Sequence, residues 1–208
     1  MRKGKFITFE GCEGVGKSSQ LRLLQEYLRA NNIDFYLTRE PGGTGVSEQI
    51  RSVILDGKNS AMADECEALL YAAARVQLLK EEIEPRLEKG ELVICDRYID
   101  SSLAYQGYAR GLGVDYVKNI NDYAIKKVMP DYTVFLNLSP ADAFKRKGGV
   151  DANDRLELSG AQFHQKVYQG YLDLAKEYKD RFIVIDATGT KQETQQKIIS
   201  ALKEKGVL

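Results

Sequence analysis

Gly11-Cys12-Glu13-Gly14-Val15-Gly16-Lys17-Ser18 stands between a short β-rich run, Phe6-Ile7-Thr8-Phe9, and a stretch carrying Leu21, Leu24 and Leu28 at helical spacing. Strand, glycine loop and helix in that order form the setting in which G-x-x-x-x-G-K-[ST] cradles phosphate. Glycines let backbone N–H groups wrap a β-phosphate, and the N-terminus of the next helix adds the positive end of its dipole. Lys17 is placed to reach the β- and γ-phosphates, and the Ser18 hydroxyl to ligate Mg²⁺. Residues 11–18 are therefore the expected ATP site.

Working outward, further apolar runs at 35–38, 92–95, 133–138 and 182–185 alternate with helical patterns. Those patterns lie near 46–55, 64–87, 102–108, 116–128, 141–147, 162–178 and 193–205. Continuous apolar strands separated by helices predict a parallel sheet covered on both faces, because parallel neighbours need crossover connections. The expected fold is α/β: three layers, α/β/α, around a five-stranded parallel sheet. Lys147-Gly148-Gly149-Val150-Asp151-Ala152-Asn153-Asp154 has no apolar periodicity and basic flanks, so residues 1–208 are read as one domain with a small lid at about 145–157.

A chain of 208 residues with 43% apolar composition can bury a substantial core. Thirty basic residues balance thirty acidic ones, which argues against a protein that coats nucleic acid or an anionic membrane. Cys12, Cys66 and Cys95 are scattered without metal-ligand spacing, as expected of reduced thiols. The basic N-terminal residues lead straight into a strand-like run rather than a signal sequence, and no apolar stretch approaches the roughly 18 residues of a membrane span. A cytoplasmic location is the expectation.

Leu92-Val93-Ile94-Cys95-Asp96 is an apolar strand ending in a carboxylate. Beside a phosphate loop, such an Asp orients Mg²⁺ or its water shell, so Ser18 and Asp96 form the expected metal pair. The loop also serves GTPase switches and motor ATPases. A guanine-reading N-K-x-D is absent, and the D-x-x-G match Asp186-Ala187-Thr188-Gly189 follows the last strand rather than the Mg²⁺ strand. A small-molecule kinase fits best. A kinase for some other monophosphate, and an ATP-dependent binding or signalling protein, are the alternatives.

Arg39, Arg51, Arg75 and Arg97 lie at strand ends or on neighbouring helices, where ligands of open α/β sheets bind. They suit an acceptor that is itself anionic, since two close phosphate charges repel by about 4 kcal/mol per pair at an effective dielectric near 20. Guanidinium forks offset that repulsion. A phosphate monoester with a second pKa of about 6 is already a nucleophilic dianion at neutral pH, so no general base is required. The lone His164 is accordingly read as structural or surface.

Taken together, Phe9-Glu10-Gly11-Cys12-Glu13-Gly14-Val15-Gly16-Lys17-Ser18, Thr38-Arg39-Glu40-Pro41-Gly42-Gly43-Thr44, Tyr71-Ala72-Ala73-Ala74-Arg75, Asp96-Arg97-Tyr98 and Ala104-Tyr105-Gln106-Gly107 resemble the thymidylate kinase family. The resemblance implies Mg²⁺-dependent phosphorylation of dTMP to dTDP by ATP. It implies that Glu13 accepts from the deoxyribose 3′-hydroxyl, and that Arg51, Arg75 and Arg97 hold the dTMP phosphate beside the Arg39-Glu40-Pro41 stretch. Tyr71, where the family usually has Phe, would stack on thymine. Ser102 and Gln106 would bond the base, and Tyr105 would crowd the sugar C2′ side. Gly14 occupies the loop position where some members carry an arginine, so the lid must supply that charge. Arg146, Lys147 and Arg155 are available there, with Arg146 and Arg155 joining Lys17 and Arg97 as expected catalytic residues. Family members pair as homodimers through helices, and 68–79 has apolar residues for such a contact.

Overall fold

The apolar runs become the strands β1 (Phe6–Glu10), β2 (Phe35–Arg39), β3 (Leu92–Asp96), β4 (Tyr132–Asn137) and β5 (Phe182–Asp186), of which the edge strands β2 and β5 leave residues such as Arg39 and Val184 exposed. They form one parallel sheet in the order β2-β3-β1-β4-β5. This arrangement is seen in a computed structural model that describes residues 3–148 and 155–208. The centre of the expected lid, 149–154, lies outside the described residues. β1 is buried along its whole length and β3 along all but its last residue, as befits strands covered on both sides.

The helices are α1 (Lys17–Ala30), α2 (Gly45–Leu55), α3 (Asp64–Leu78), α4 (Glu84–Lys89), α5 (Ile99–Ser102), α6 (Val114–Ile120), α7 (Asp122–Lys127), α8 (Pro140–Lys147), α9 (Ala161–Glu177) and α10 (Lys191–Glu204). Leu21, Leu24 and Leu28 of α1 are buried against the sheet, as their spacing requires.

Three expected helices differ from the structure. The 64–87 helix is interrupted by a π-helical turn, Leu79–Ile83, before α4. Pro85 has no N–H to donate and its ring crowds the carbonyl four residues back, so the backbone widens there. The helix near 102–108 is α5 continued by a second π-helical segment, Leu103–Ala109. The 116–128 helix divides at Asn121, whose side-chain amide donates to Val117 O at 2.9 Å and so competes with the helical ladder.

Register fixes the site. Phe9 lies beside Asp96, and Asp96 beside Arg39, so the carboxyl ends of β1, β3 and β2 open onto one edge. From β1 the chain passes through α1 to β2, beyond β3, whereas β4 and β5 lie on the other side of β1. This reversal leaves a crevice at the carboxyl edge, the usual ligand position in open α/β sheets.

Candidate functional site

The glycine loop ends where α1 begins, at Lys17. Lys17 is mostly buried, and its Nζ lies 3.5 Å from Gly11 O, folded back over the loop. Gly14 has φ +77, and a Cβ there would sit 2.7 Å from Ala143 O and 3.2 Å from Lys147 Cβ. The last turn of α8 thus packs where a longer side chain would have to pass, which is the physical reason an arginine has no place at this loop position. The space on this side, about 450 Å³, is lined by residues of the loop, by Arg146 and Lys147 of α8, and by Lys191 and Thr194 of α10. Arg146 donates to Ala187 O at 2.9 Å and Thr188 O at 3.2 Å, so its guanidinium is fixed at the rim.

A second cavity of about 200 Å³ opens on the other side of Lys17. Glu13, Lys17 and Ser18 line both spaces. The end of β2 and the turn after it contribute Arg39, Glu40 and Pro41; α2 contributes Arg51 and Leu55, and α3 Tyr71. Asp96 ends β3 and Arg97 follows it, and Ser101, Ser102, Tyr105 and Gln106 come from α5 and the π-helical segment after it. Every expected acceptor-side residue lines this cavity except Arg75. Arg39 and Arg51 both donate to Pro41 O at 3.0 Å, while Arg39 also grips Glu48 through 2.8 and 2.9 Å bonds.

Arg75 lies behind the wall, 1% exposed. It donates to Glu40 Oε2 (2.8 Å), Asn121 Oδ1 (2.6 Å), Tyr98 O (3.2 Å) and Ser102 Oγ (3.0 Å). Arg155 also departs from expectation. Its Nε donates to Ile54 O at 2.9 Å and its fork meets the Glu67 carboxylate, away from the phosphate loop. A buried carboxylate attracts a guanidinium more strongly than solvent does, and nothing in the local sequence announced Glu67 as that partner.

Arg97 is the electrostatic centre. It adopts φ +71, with its N–H held by Phe9 O at 3.0 Å, which turns the side chain back over the loop. One nitrogen donates to Gly11 O (3.0 Å), Ser101 Oγ (3.1 Å) and Tyr171 Oη (3.2 Å). The other meets Glu13 Oε1 at 2.5 Å and Tyr105 Oη at 3.2 Å. Burial alone would raise the Glu13 carboxyl, but Arg97, Lys17 and the Tyr105 hydroxyl hold it at about 2. Glu13 is therefore an anion at ordinary pH, turned toward Arg97 and Tyr105 in the wall that the two spaces share. Burial pushes the Cys12 thiol up to about 12, which leaves it no role as a nucleophile.

Behind Arg97 lies Glu10, fully buried, accepting from Tyr98 N (2.8 Å), Ser101 Oγ (2.6 Å) and Tyr171 Oη (2.8 Å). Burial and the neighbouring Asp100 raise its carboxyl to about 7. The native state then keeps a proton that the unfolded chain releases near pH 4.5, so this group's contribution to stability falls as pH rises between about 4.5 and 7. Glu10→Gln should flatten the stability profile in that window by up to about 3 kcal/mol. Urea denaturation of both proteins near pH 5 and near pH 8 measures it; parallel profiles would overturn the assignment.

His164 is buried, its Nε2 3.2 Å from Glu157 O and its ring edge-on to Phe144 and Phe163, so it is structural. Asp96 Oδ1 is buried without a hydrogen-bond partner, beside Ser18 in the cavity wall. One hydroxyl and one unsatisfied carboxylate oxygen suit a hard cation that brings phosphate and water as its other ligands. Among the described residues no cluster of three His, Cys, Asp or Glu could chelate a resident metal. Among those residues, too, no helix is long and apolar enough to cross a membrane.

Sequence reading missed Glu67, Ser101, Tyr171, Arg110 and Asn121, all of which brace the cavity wall. A signal existed for the first: Glu67, Tyr71 and Arg75 are four residues apart and share one face of α3.

A parallel α/β sheet whose phosphate loop and lysine divide two chambers, the second lined by arginines, defines a phosphotransferase of the P-loop class acting on a small anionic acceptor. Comparison with known proteins narrows the class. The sequence model of the family "Thymidylate kinase" matches residues 9–198. A protein named thymidylate kinase from Caldanaerobacter subterraneus subsp. tengcongensis is 46% identical over 202 residues, covering 97% of this chain and 96% of its own. Proteins of the same name from Finegoldia magna (46% over 203 residues, 98% of this chain and 100% of that one) and Bacillus velezensis (47% over 203 residues, 97% and 96%) are similar throughout. The chain belongs to the thymidylate kinase family.

Proposed function

We infer that the paired chambers carry out ATP-dependent phosphorylation of dTMP to dTDP, and that Lys17 lies where the γ-phosphoryl group crosses. The observation that carries this reading is the shared wall: Glu13, Lys17 and Ser18 border both the loop-side space and the arginine-lined cavity. ATP takes the loop side, its phosphates against the backbone N–H groups of residues 11–18, with Arg146 at the rim. Ser18 and the unsatisfied Oδ1 of Asp96 would hold Mg²⁺, which supplies charge neutralisation between the phosphates when bound.

dTMP takes the smaller cavity. Its phosphate lies toward Arg51 and Arg97, with Arg39 flanking, and its base toward Tyr71, Ser102 and Gln106. Tyr105 crowds the sugar C2′ side and Glu13 accepts from the 3′-hydroxyl. Arg75 acts on the acceptor indirectly, by fixing Glu40 and the Ser102 hydroxyl. The acceptor dianion attacks without a base, so rate comes from positioning and from cations placed against the developing charge. Arg146 and Lys147 border the loop-side space, which favours them over Arg155 as the charges nearest the transferring group.

Residues 1–208 would work as one unit with 145–157 as the lid, whose described ends are joined by a Lys147–Glu157 ion pair. The chain would act as a cytoplasmic homodimer. In support, Cys66, Leu69 and Ala73 form an exposed stripe on α3, with Val46 and Val53 exposed on the adjoining α2.

ADP release measured across a panel of nucleoside monophosphates tests the reading: dTMP should give the highest kcat/KM. Gln106→Ala should lower kcat/KM for dTMP by about 1 to 3 kcal/mol in transition-state binding, through loss of a buried base contact. ATP turnover indifferent to every acceptor would point instead to a binding or signalling protein.

A further inference from the structure

Glu67 is fully buried, one helical turn before Tyr71 on α3 and bonded to Gln106, and both of those residues line the acceptor cavity. Each of its oxygens is saturated. Oε1 accepts from Gln106 Nε2 at 2.8 Å and Arg110 Nε at 3.3 Å; Oε2 accepts from Arg110 at 2.9 Å and from Arg155. Two guanidinium groups hold this carboxylate ionised, as an acceptor with no proton to give. Arg110 is itself held from the other side, over the ring of Phe163.

An amide facing such a group has one orientation open to it. The NH₂ end of Gln106 must turn to Glu67, because its carbonyl would meet a full negative charge. The Gln106 Oε1 is then the end presented to the cavity that this side chain lines. We propose that Glu67 is a specificity-determining positioning residue, which locks the Gln106 amide so that the base seat offers an acceptor and selects pyrimidines that carry an N3–H. Thymine and uracil donate from N3. Cytosine places a lone pair there, and two acceptors in contact leave both unsatisfied in a dry site. Glu67 makes this selection without touching the base.

The proposal rests on the dTMP cavity assigned above, and its test separates the two. In Glu67→Gln the new amide can either donate or accept, so Gln106 is free to rotate. The ratio of kcat/KM for dTMP to that for dCMP should fall on the order of ten- to a hundredfold, mostly through KM. A merely structural Glu67 would weaken both substrates together and leave the ratio unchanged, which would overturn the proposal while wild-type dTMP turnover left the function standing. Glu67→Asp keeps the charge but withdraws it by one methylene, and should move the ratio the same way. Should neither variant fold, wild-type enzyme decides with N3-methyl-dTMP, which lacks the donor. Its kcat/KM should lie about a hundredfold or more below that of dTMP, and equal use would overturn the inference. Absence of any dTMP-dependent ADP release by the wild type would instead sink the functional reading itself.

Discussion

Lys17→Ala should lower kcat by about two to four orders of magnitude while leaving the melting temperature close to that of the wild type. The disparity follows from the lysine's setting. In the folded protein its ammonium donates one long bond, 3.5 Å to Gly11 O, and shares the Glu13 carboxylate with Arg97, which keeps that anion paired when Lys17 is gone. In the transition state the same charge, mostly withdrawn from water, would face phosphoryl oxygens on the line between the two chambers. A cation placed in advance acts there without solvent reorganisation. Steady-state kinetics with saturating ATP and dTMP, beside a thermal melt, measures both halves. Near-normal turnover in a folded variant would remove Lys17 from the reaction.

Arg97→Met should fail in two ways at once. Turnover should drop by about two to three orders of magnitude, because the guanidinium that lines the second cavity, and would face the acceptor phosphate there, is gone. Stability should drop as well, by about 1 to 3 kcal/mol after allowance for partial exposure of the pair, because Glu13 loses the partner at 2.5 Å that holds its carboxyl near 2. The sign of the pH effect follows. A carboxyl depressed from 4.5 to about 2 adds stability above pH 4.5 and loses it as pH falls toward 2. The gap between wild type and Arg97→Met should therefore be widest near neutrality and narrow below about pH 4. Urea denaturation at both pH values checks this, and a gap constant with pH would mean that the Glu13 ion pair is not what Arg97 contributes to folding.

Much of the site was legible because phosphate chemistry leaves local marks. A tight backbone cradle requires glycines at set spacing, and the lysine and serine follow at once along the chain. Asp96 could be read for the same reason, since an apolar strand delivers its last residue to the sheet edge. Arg75 and Arg155 could not. Both are arginines near the right motifs, and whether either reaches a ligand depends on carboxylates 35 and 88 positions away, Glu40 and Glu67. The two π-helical turns were equally hidden, because a widened turn has the composition of an ordinary helix. The second of them swings Tyr105 and Gln106 into the cavity wall.

By itself the sequence determined the parallel α/β sheet and the phosphate loop between its first strand and first helix. Strand burial and the phosphate loop are encoded in runs of adjacent residues, whose periodicity and spacing survive without knowledge of the fold. Only the tertiary structure decided which basic groups line the second cavity and which are spent on buried carboxylates. Ion pairing and desolvation act between side chains that the chain brings together from distant positions, and no local pattern records those meetings.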